Sequence, residues 1–451
     1  MKHTDFENEK MFPLIMKMAL PSIAAQFVNM LYGIVDRIYI GHIPQIGTVA
    51  LAGVGICNTI IILVSAFAQF TGGGGAPLAS IALGKKDQKR AEKIMNNGIF
   101  LFVLLSIILM VVIYPSLTPL LKMIGASSST LPYAKSYLSI YLLGTIFVMI
   151  TIGLNPFINL QGHPAMAMIT VIIGAVINIV LDPVFIFTFH MGVSGAALAT
   201  VLSQAVSAIW ILWFLSSDKA QIHIRVSEMK PEKKILKPML SLGVSPFVMG
   251  STESVIGFVM NRGLAVYGDI YVSALAVMQS CMQIYSVPLN GFSQGASPVI
   301  SYNYGSGNRE RLKEGCKVIF IVMTFFNLIM TVWMMVQPGL FGSLFTTDQK
   351  LLKEVIQIMP VFLAGMTIFG MQRACQTMFV ALNEPKISLF IALLRKIILL
   401  VPLAMILPHW FGYMGIFGAE AIADSTAAII CTLIFIHRFP KILNRMHSSQ
   451  Y

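Results

Sequence analysis

Long apolar stretches alternate along this chain with short polar gaps. Residues 99–113 carry no charge, and neither do residues 318–337. About 20 mostly apolar residues suffice for a helix to cross a bilayer. On that measure the pattern predicts spans near 13–40, 48–82, 94–117, 132–155, 166–189, 194–215, 239–267, 272–302, 317–338, 354–382, 388–408 and 414–437. Several of these exceed the bilayer thickness and must tilt or bend. The expected fold class is an all-α polytopic membrane protein with twelve transmembrane helices.

The gaps alternate in charge. One set holds Lys85, Lys86, Lys89, Arg90 and Lys93, then Lys219, Arg225, Lys230, Lys233, Lys234 and Lys237, then Arg309, Arg311, Lys313 and Lys317. The C-terminal tail adds Arg438, Lys441 and Arg445, whereas the opposite gaps hold little beyond Lys122, Lys350 and Lys353. Basic loops stay on the cytoplasmic side, so both termini are expected there, as an even span count requires. Lys2, Lys10 and Lys17 are not followed closely by a short apolar core and cleavage site, so no signal peptide is expected.

The longest polar gap, residues 216–238, divides the chain nearly in half, and the halves resemble each other. Leu20-Pro21 is answered by Ser245-Pro246, Asp36-Arg37 by Asn261-Arg262, and Ala50-Leu51-Ala52 by Ala274-Leu275-Ala276. Ala76-Pro77 and Gly84 are answered by Ser297-Pro298 and Gly305. Gly162-His163-Pro164 is answered by Asn383-Glu384-Pro385, and Gly192 and Gly195 by Gly412 and Gly415. The offset is about 220–225 residues throughout, and an ordered series at one offset marks an internal repeat. An even number of spans per half makes the repeats parallel. The expected organisation is an N-terminal six-helix lobe (1–216), a cytoplasmic linker (217–238) and a C-terminal six-helix lobe (239–451), around a central cavity. Transporters built from parallel repeats bind substrate near the midplane between the halves.

Composition agrees. Of 451 residues, 56% are hydrophobic and only 11% charged, and mean hydropathy is +0.79. Soluble domains carry about a quarter charged residues. The net charge of +12 sits in the interhelical gaps, which points to topology and not to a nucleic-acid partner.

Ionisable residues at span depth are expensive and usually functional. They are Asp36, Arg37, Asp182, Glu253, Arg262, Arg373, Arg395, Lys396, Glu420 and Asp424. Asp36 and Arg37 are adjacent and do not share a helix face. Asn178 and Asp182 are four apart and do. Pro183 removes a backbone hydrogen bond one turn back and frees a carbonyl there. Carboxylate and amide oxygens suit a hard cation or a shared proton, or else fix packing through an interhelical hydrogen bond. Glu253 has no basic residue within four positions. It attracts a cationic substrate, carries a proton, or faces the cytoplasm near its span's start. Arg37 and Arg262 occupy equivalent repeat positions and are expected to snorkel to the outer interface. Arg373, Arg395 and Lys396 line the cavity or snorkel. Glu420 and Asp424, four apart, face the cavity or form buried hydrogen bonds.

Other motifs carry less. Residues 71–76 read T-G-G-G-G-A and lack the Lys-Ser/Thr of a phosphate loop, so close helix packing is expected. Cys57, Cys281, Cys316, Cys375 and Cys431 lack metal or redox spacing and read as packing residues. The histidines His3, His42, His163, His190, His223, His409, His437 and His447 lie at span ends, loops and tails, which disfavours a membrane-embedded enzyme. No Walker motif supports a nucleotide-driven pump. Of the 29 Met and 29 Phe, a minority lining a cavity suits a promiscuous apolar site.

In order, these features resemble the multidrug and toxic compound extrusion (MATE) transporters over essentially the whole chain. Gly33-Ile34-Val35-Asp36 with Ile40-Gly41 is similar to the family's first-span motif, and Ala50-Leu51-Ala52-Gly53 to its second-span start. Pro298 with Tyr302-Asn303-Tyr304-Gly305 is similar to the eighth-span end. Leu344-Phe345-Thr346-Thr347-Asp348-Gln349 is similar to a loop of the bacterial MepA-like branch. The resemblance implies a cation-linked site in the N-terminal lobe, matched here by Asp36, Asn178, Asp182 and Thr200, for H⁺ or Na⁺. It aligns Glu253 with a seventh-span Glu of many relatives. Gln372 stands where some have a tenth-span Asp, which departs from a C-terminal sodium site. Arg37 departs from the small polar residue usual after the Asp.

The implied function is export of amphipathic, often cationic, organic compounds by a cation-driven antiporter, with no cofactor beyond the coupling ion and the chain acting as a monomer in the cell membrane. Cavity-lining candidates are Glu253, Tyr32, Asn155, Met260, Gln279, Gln283, Arg262 and Gln372. The rival transport reading is a lipid-linked precursor flippase of the wider superfamily, which usually has about two more spans and a cationic cavity.

Overall fold

The structure is a computed structural model that describes residues 4–448. The expected tail residue His3 lies outside the described residues. Helices α1 (Met11–Gly41), α2 (Gly47–Gly84) and α3 (Gln88–Ile113) each cross in one piece. A short α4 (Leu117–Ile124) leads to α5 (Leu131–Leu143) and α6 (Thr145–Asn159). The last two meet at Gly144 with a bend of 59° and together are long and apolar enough for one span. α7 (Pro164–Pro183) runs into a π-helical turn, Val184–Thr188, and α8 (Val193–Ser216) closes the first half.

The second half repeats the plan with α9 (Lys233–Ala265), α10 (Asp269–Gly305) and α11 (Arg309–Val336), then a short α12 (Pro338–Ser343). Next come α13 (Gln349–Ala364) and α14 (Phe369–Ala381), joined by a 3₁₀ turn. α15 (Pro385–Leu393) passes through a π-helical turn, Leu394–Leu400, into α16 (Val401–Ile406) and α17 (Pro408–Phe411). α18 (Tyr413–Ser448) is last. No strand occurs among the described residues. Among the described residues eleven helices are long and apolar enough to cross a membrane, and twelve when the bent α5–α6 pair is counted as one span.

The repeat is written into the backbone. Gly192 has φ 55°, ψ −131°, and its counterpart Gly412 φ 57°, ψ −142°. Gly162 and Asn383 both adopt positive φ, 76° and 57°. Asp87 caps α3 by accepting from the Arg90 amide at 3.0 Å, and Asn308 caps α11 by accepting from the Arg311 amide at 3.1 Å. Equivalent positions thus solve the same turn and cap problems with different residues.

Two apolar cores form. One gathers Ala50, Phe102, Leu138, Phe157 and Ile211 from the first half. The other gathers Tyr285, Ile319, Phe362, Phe379 and Phe417 from the second. The division by chain order fails for α1. Its first turns, including Met11, Leu14, Ile15 and Met18, pack into the second core, while Ile40 packs into the first. The linker is strapped to the first half. Gln161 Oε1 accepts from the Gln221 amide at 2.7 Å, Asn96 Oδ1 from Arg225 at 2.9 Å and Asn97 Oδ1 from Glu232 at 2.9 Å.

The seams between halves are backbone against backbone. A Cβ on Gly74 would stand 2.0 Å from the Met239 oxygen, and one on Gly243 1.7 Å from the Phe70 oxygen. The α1–α10 seam mirrors this, with Gly295 against Met18 and Ala19, and Gly291 against Ser22 and Ile23. The T-G-G-G-G-A run is therefore the packing surface its composition predicts.

Candidate functional site

Three elements meet at the first-half carboxylates. α1 brings Asp36, α7 brings Asn178 and Asp182, and α8 brings Thr200. Asn178 is 1% exposed and Asp182 fully buried. Asn178 Nδ2 donates to Asp182 Oδ1 and to Thr200 Oγ1, both at 3.4 Å. The Asp36 and Asp182 carboxyls lie within hydrogen-bonding reach of each other. All four residues proposed from the sequence are brought together.

The oxygens are under-satisfied. Asp36 Oδ1, Asn178 Oδ1 and Asp182 Oδ2 are buried with no hydrogen-bond partner. Buried acceptors in folded proteins nearly always find a donor. Two carboxyls in contact at low dielectric also repel when both are charged, so one positive charge between them relieves both problems. A single shared proton does this, and so does a monovalent hard cation ringed by carboxylate, amide and hydroxyl oxygens. No cluster of three or more His, Cys, Asp or Glu side chains suited to a metal occurs among the described residues.

An aromatic layer backs the site; Tyr32 in it was a sequence candidate for the cavity, whereas Tyr137 and Tyr141 were not read from the sequence. The Tyr137 hydroxyl lies beside Thr200, and the Tyr137 and Tyr141 rings stack with centroids 6.2 Å apart. Tyr32 on α1 lies close to both carboxyls. The signal available was the i, i+4 pair Tyr137–Tyr141, a spacing equally common on a core face.

The second half is organised by charge pairing. Lys396, in the π-helical turn, places Nζ 3.1 Å from Glu253 Oε1. Glu253 has no basic residue within four positions, and its partner here is remote in sequence. The Lys396 side chain is 8% exposed and that of Glu253 59%. Arg395 is clamped between Glu420, at 3.2 Å, and Asp424, and lies 4.2 Å over the Phe369 ring. Arg373 donates to Asn290 Oδ1. Glu420 and Asp424 are thus buried ion-pair partners. Arg395 and Lys396 are buried in the protein and do not snorkel.

The other candidates separate. Met260 and Gln372 are each 2% exposed and packed inside the second half, so neither lines an open surface. Asn155 is half-buried and donates to the Ala167 carbonyl at 3.3 Å, with Oδ1 left without a partner. Gln279 and Gln283 share an exposed face of α10. Arg37 and Arg262 are exposed.

The MatE family model matches residues 21–184 and 247–406. The chain is 27% identical to multidrug export protein MepA of Staphylococcus haemolyticus (strain JCSC1435) over 430 residues, covering 95% of this chain and 94% of that protein. It is 26% identical to MepA of Staphylococcus aureus (strain NCTC 8325) over the same span and coverage. Among solved structures, an outward-facing multidrug resistance MATE family transporter of the MOP superfamily superposes with TM-score 0.90 at 22% identity, over 98% of this chain and 99% of that one. A MOP superfamily transporter from Pyrococcus furiosus superposes with the same score, identity and coverage. These likenesses establish the shared fold. With well over half of its length matched by the family model, the chain belongs to the MatE family, the transporters its sequence motifs resemble.

Proposed function

We propose that this protein exports amphipathic, often cationic, organic compounds across the cell membrane by alternating access, driven by entry of H⁺ or Na⁺. The observation that carries the reading is the contact between Asp36 and Asp182, two carboxyls from different spans with unsatisfied oxygens around them. The names of the MepA relatives support multidrug compounds as the cargo. The basic gaps support a cytoplasmic position for both termini and the linker.

The pair holds α1 against α7 when one cation sits between the carboxyls. Losing that cation leaves two buried like charges that push the helices apart. A cation drives transport only through different affinity in the two states, and a site shared by two helices supplies that difference whenever they separate. Asn178 and Thr200 orient the carboxyls and contribute neutral oxygens. Tyr137 lies behind Thr200 and shields that side of the site.

The flippase reading expects a markedly cationic cavity, and the pairing of Arg395 with Glu420 and Asp424, and of Lys396 with Glu253, counts against it. The test is efflux of a panel of cationic dyes from proteoliposomes, with pH and sodium gradients imposed separately. Dye efflux under one gradient and none without it supports the reading. Efflux indifferent to both gradients overturns it.

A further inference from the structure

A cavity lies away from the carboxylates, at the end of the molecule that carries the basic gaps. It encloses about 180 Å³ and is walled by the α2–α3 corner, the start of α9, the end of α10 and the turn before α15. Its rim holds Lys85, Arg90 and Lys234, against one acidic residue, Asp87. Asp87 is already engaged as the cap of α3. Among the described residues Lys85, Arg90 and Lys234 enter no ion pair, whereas their neighbours Lys93 and Lys86 do, with Glu232 and Glu7. The walls below the rim are apolar, with Ile81, Ile94 and Ile235 among them.

Depth matters here. α2 ends at Gly84, α3 begins at Gln88 and α9 begins at Lys233, so the cationic rim stands where apolar spans give way to polar chain. That is the level of lipid headgroups, and basic pockets between helices at this level hold anionic ones. An amphiphile with a negative head and apolar tails matches both the rim and the walls, and a free anion matches only the rim.

The pocket also straddles the seam between halves. Ile81 and Lys85 come from the first half, Lys234 and Tyr304 from beyond the linker's strapped segment. Beside it Gly84 meets the Tyr302 backbone and Gly305 meets the Ile81 backbone. The walls are in register only while this seam is shut. We propose that the pocket binds the headgroup of an anionic phospholipid and that its occupancy favours the arrangement in which this end of the molecule is closed, since a ligand shifts an equilibrium toward the state it binds better. This rests on the membrane-spanning fold and not on the export reading, because retention is measured without transport.

The experiment is native mass spectrometry of the full-length protein in detergent, titrated with phosphatidylglycerol, phosphatidylcholine or inorganic phosphate. Phosphatidylglycerol should be retained preferentially, and each of K85Q, R90Q and K234Q should weaken retention about fivefold. K350Q/K353Q, at the opposite end, should leave it unchanged. A thermal melt without lipid reports folding of every variant, and any one single variant that folds suffices for the test. Equal retention of both lipids, undiminished retention by the variants, or full displacement by inorganic phosphate would overturn the proposal. All five native cysteines are buried, so spin labels at K89C and K313C report closure across the seam. Phosphatidylglycerol should enrich the short distance, and an unchanged distribution on saturation would refute the conformational half of the proposal.

Discussion

The carbonyl oxygen of Tyr302 lies 2.1 Å from where a Cβ on Gly84 would stand. The relation is reciprocal, because a Cβ on Gly305 would stand 2.1 Å from the Ile81 oxygen, and both pairs sit at equivalent repeat positions. Each half therefore offers its own glycine to the other half's backbone. A side chain at either position cannot be absorbed by a rotamer change, since the obstacle is main chain. G84A and G305A should each destabilise the closed seam by about 1–3 kcal/mol, the usual range for overpacking. G55A is the control in the same helix as Gly84, with nothing within 4 Å of its added Cβ. Distances between labels at K89C and K313C should lengthen in the first two variants and not in the third.

Much of this seam was legible in the sequence. The doubled plan, the paired glycines and the helical fold follow from periodicity and from an ordered series at one offset. The mixed allegiance of α1 was not, because helix pattern alone does not say which core a buried face joins. Asn178 and Asp182 were legible as one helix face from their spacing, while their grouping with Asp36 and Thr200 was implied by the family resemblance. Pairs across the fold were hidden. Glu253 and Lys396 are 3.1 Å apart in space but on helices separated by most of the second half. Likewise Met260 and Gln372 lie in spans whose inward face the sequence leaves undetermined.

The asymmetric exposure of the Glu253–Lys396 pair sets the order of its single mutants. Glu253→Gln leaves Lys396 charged, with its side chain only 8% exposed, whereas Lys396→Met leaves a Glu253 that is 59% exposed. Stranding the more buried charge costs more, up to about 3–5 kcal/mol for full burial. Thermal unfolding in detergent should rank E253Q below K396M, with the double variant above E253Q. The reverse order would show that Lys396 reaches solvent or another anion.

Arg395 holds two carboxylates that would otherwise repel. Arg395→Met leaves Glu420 and Asp424 buried together and should cost about 3–5 kcal/mol, while R395M/E420Q/D424N should recover most of it. Melting temperatures of the three proteins decide the matter. A triple variant no more stable than R395M would mean that the Phe369 contact, not the charge balance, holds this helix.

Tyr137→Phe removes the hydroxyl that lies beside Thr200 but no carboxylate. It should weaken the driving cation's apparent affinity by about tenfold, the scale of one hydrogen bond to a site-forming group, while leaving gradient-saturated dye efflux intact. A concentration series of the driving ion in proteoliposomes separates the two, and a loss confined to maximal efflux would place Tyr137 elsewhere in the cycle.

The central claim is that Asp36 and Asp182 form one cation site between α1 and α7. Its most direct measurement is gradient-driven dye efflux by Asp36→Asn and Asp182→Asn in proteoliposomes, with circular dichroism and melting to confirm folding. The account predicts folded proteins that have lost gradient-driven efflux. Efflux at the wild-type rate from folded D36N would contradict it.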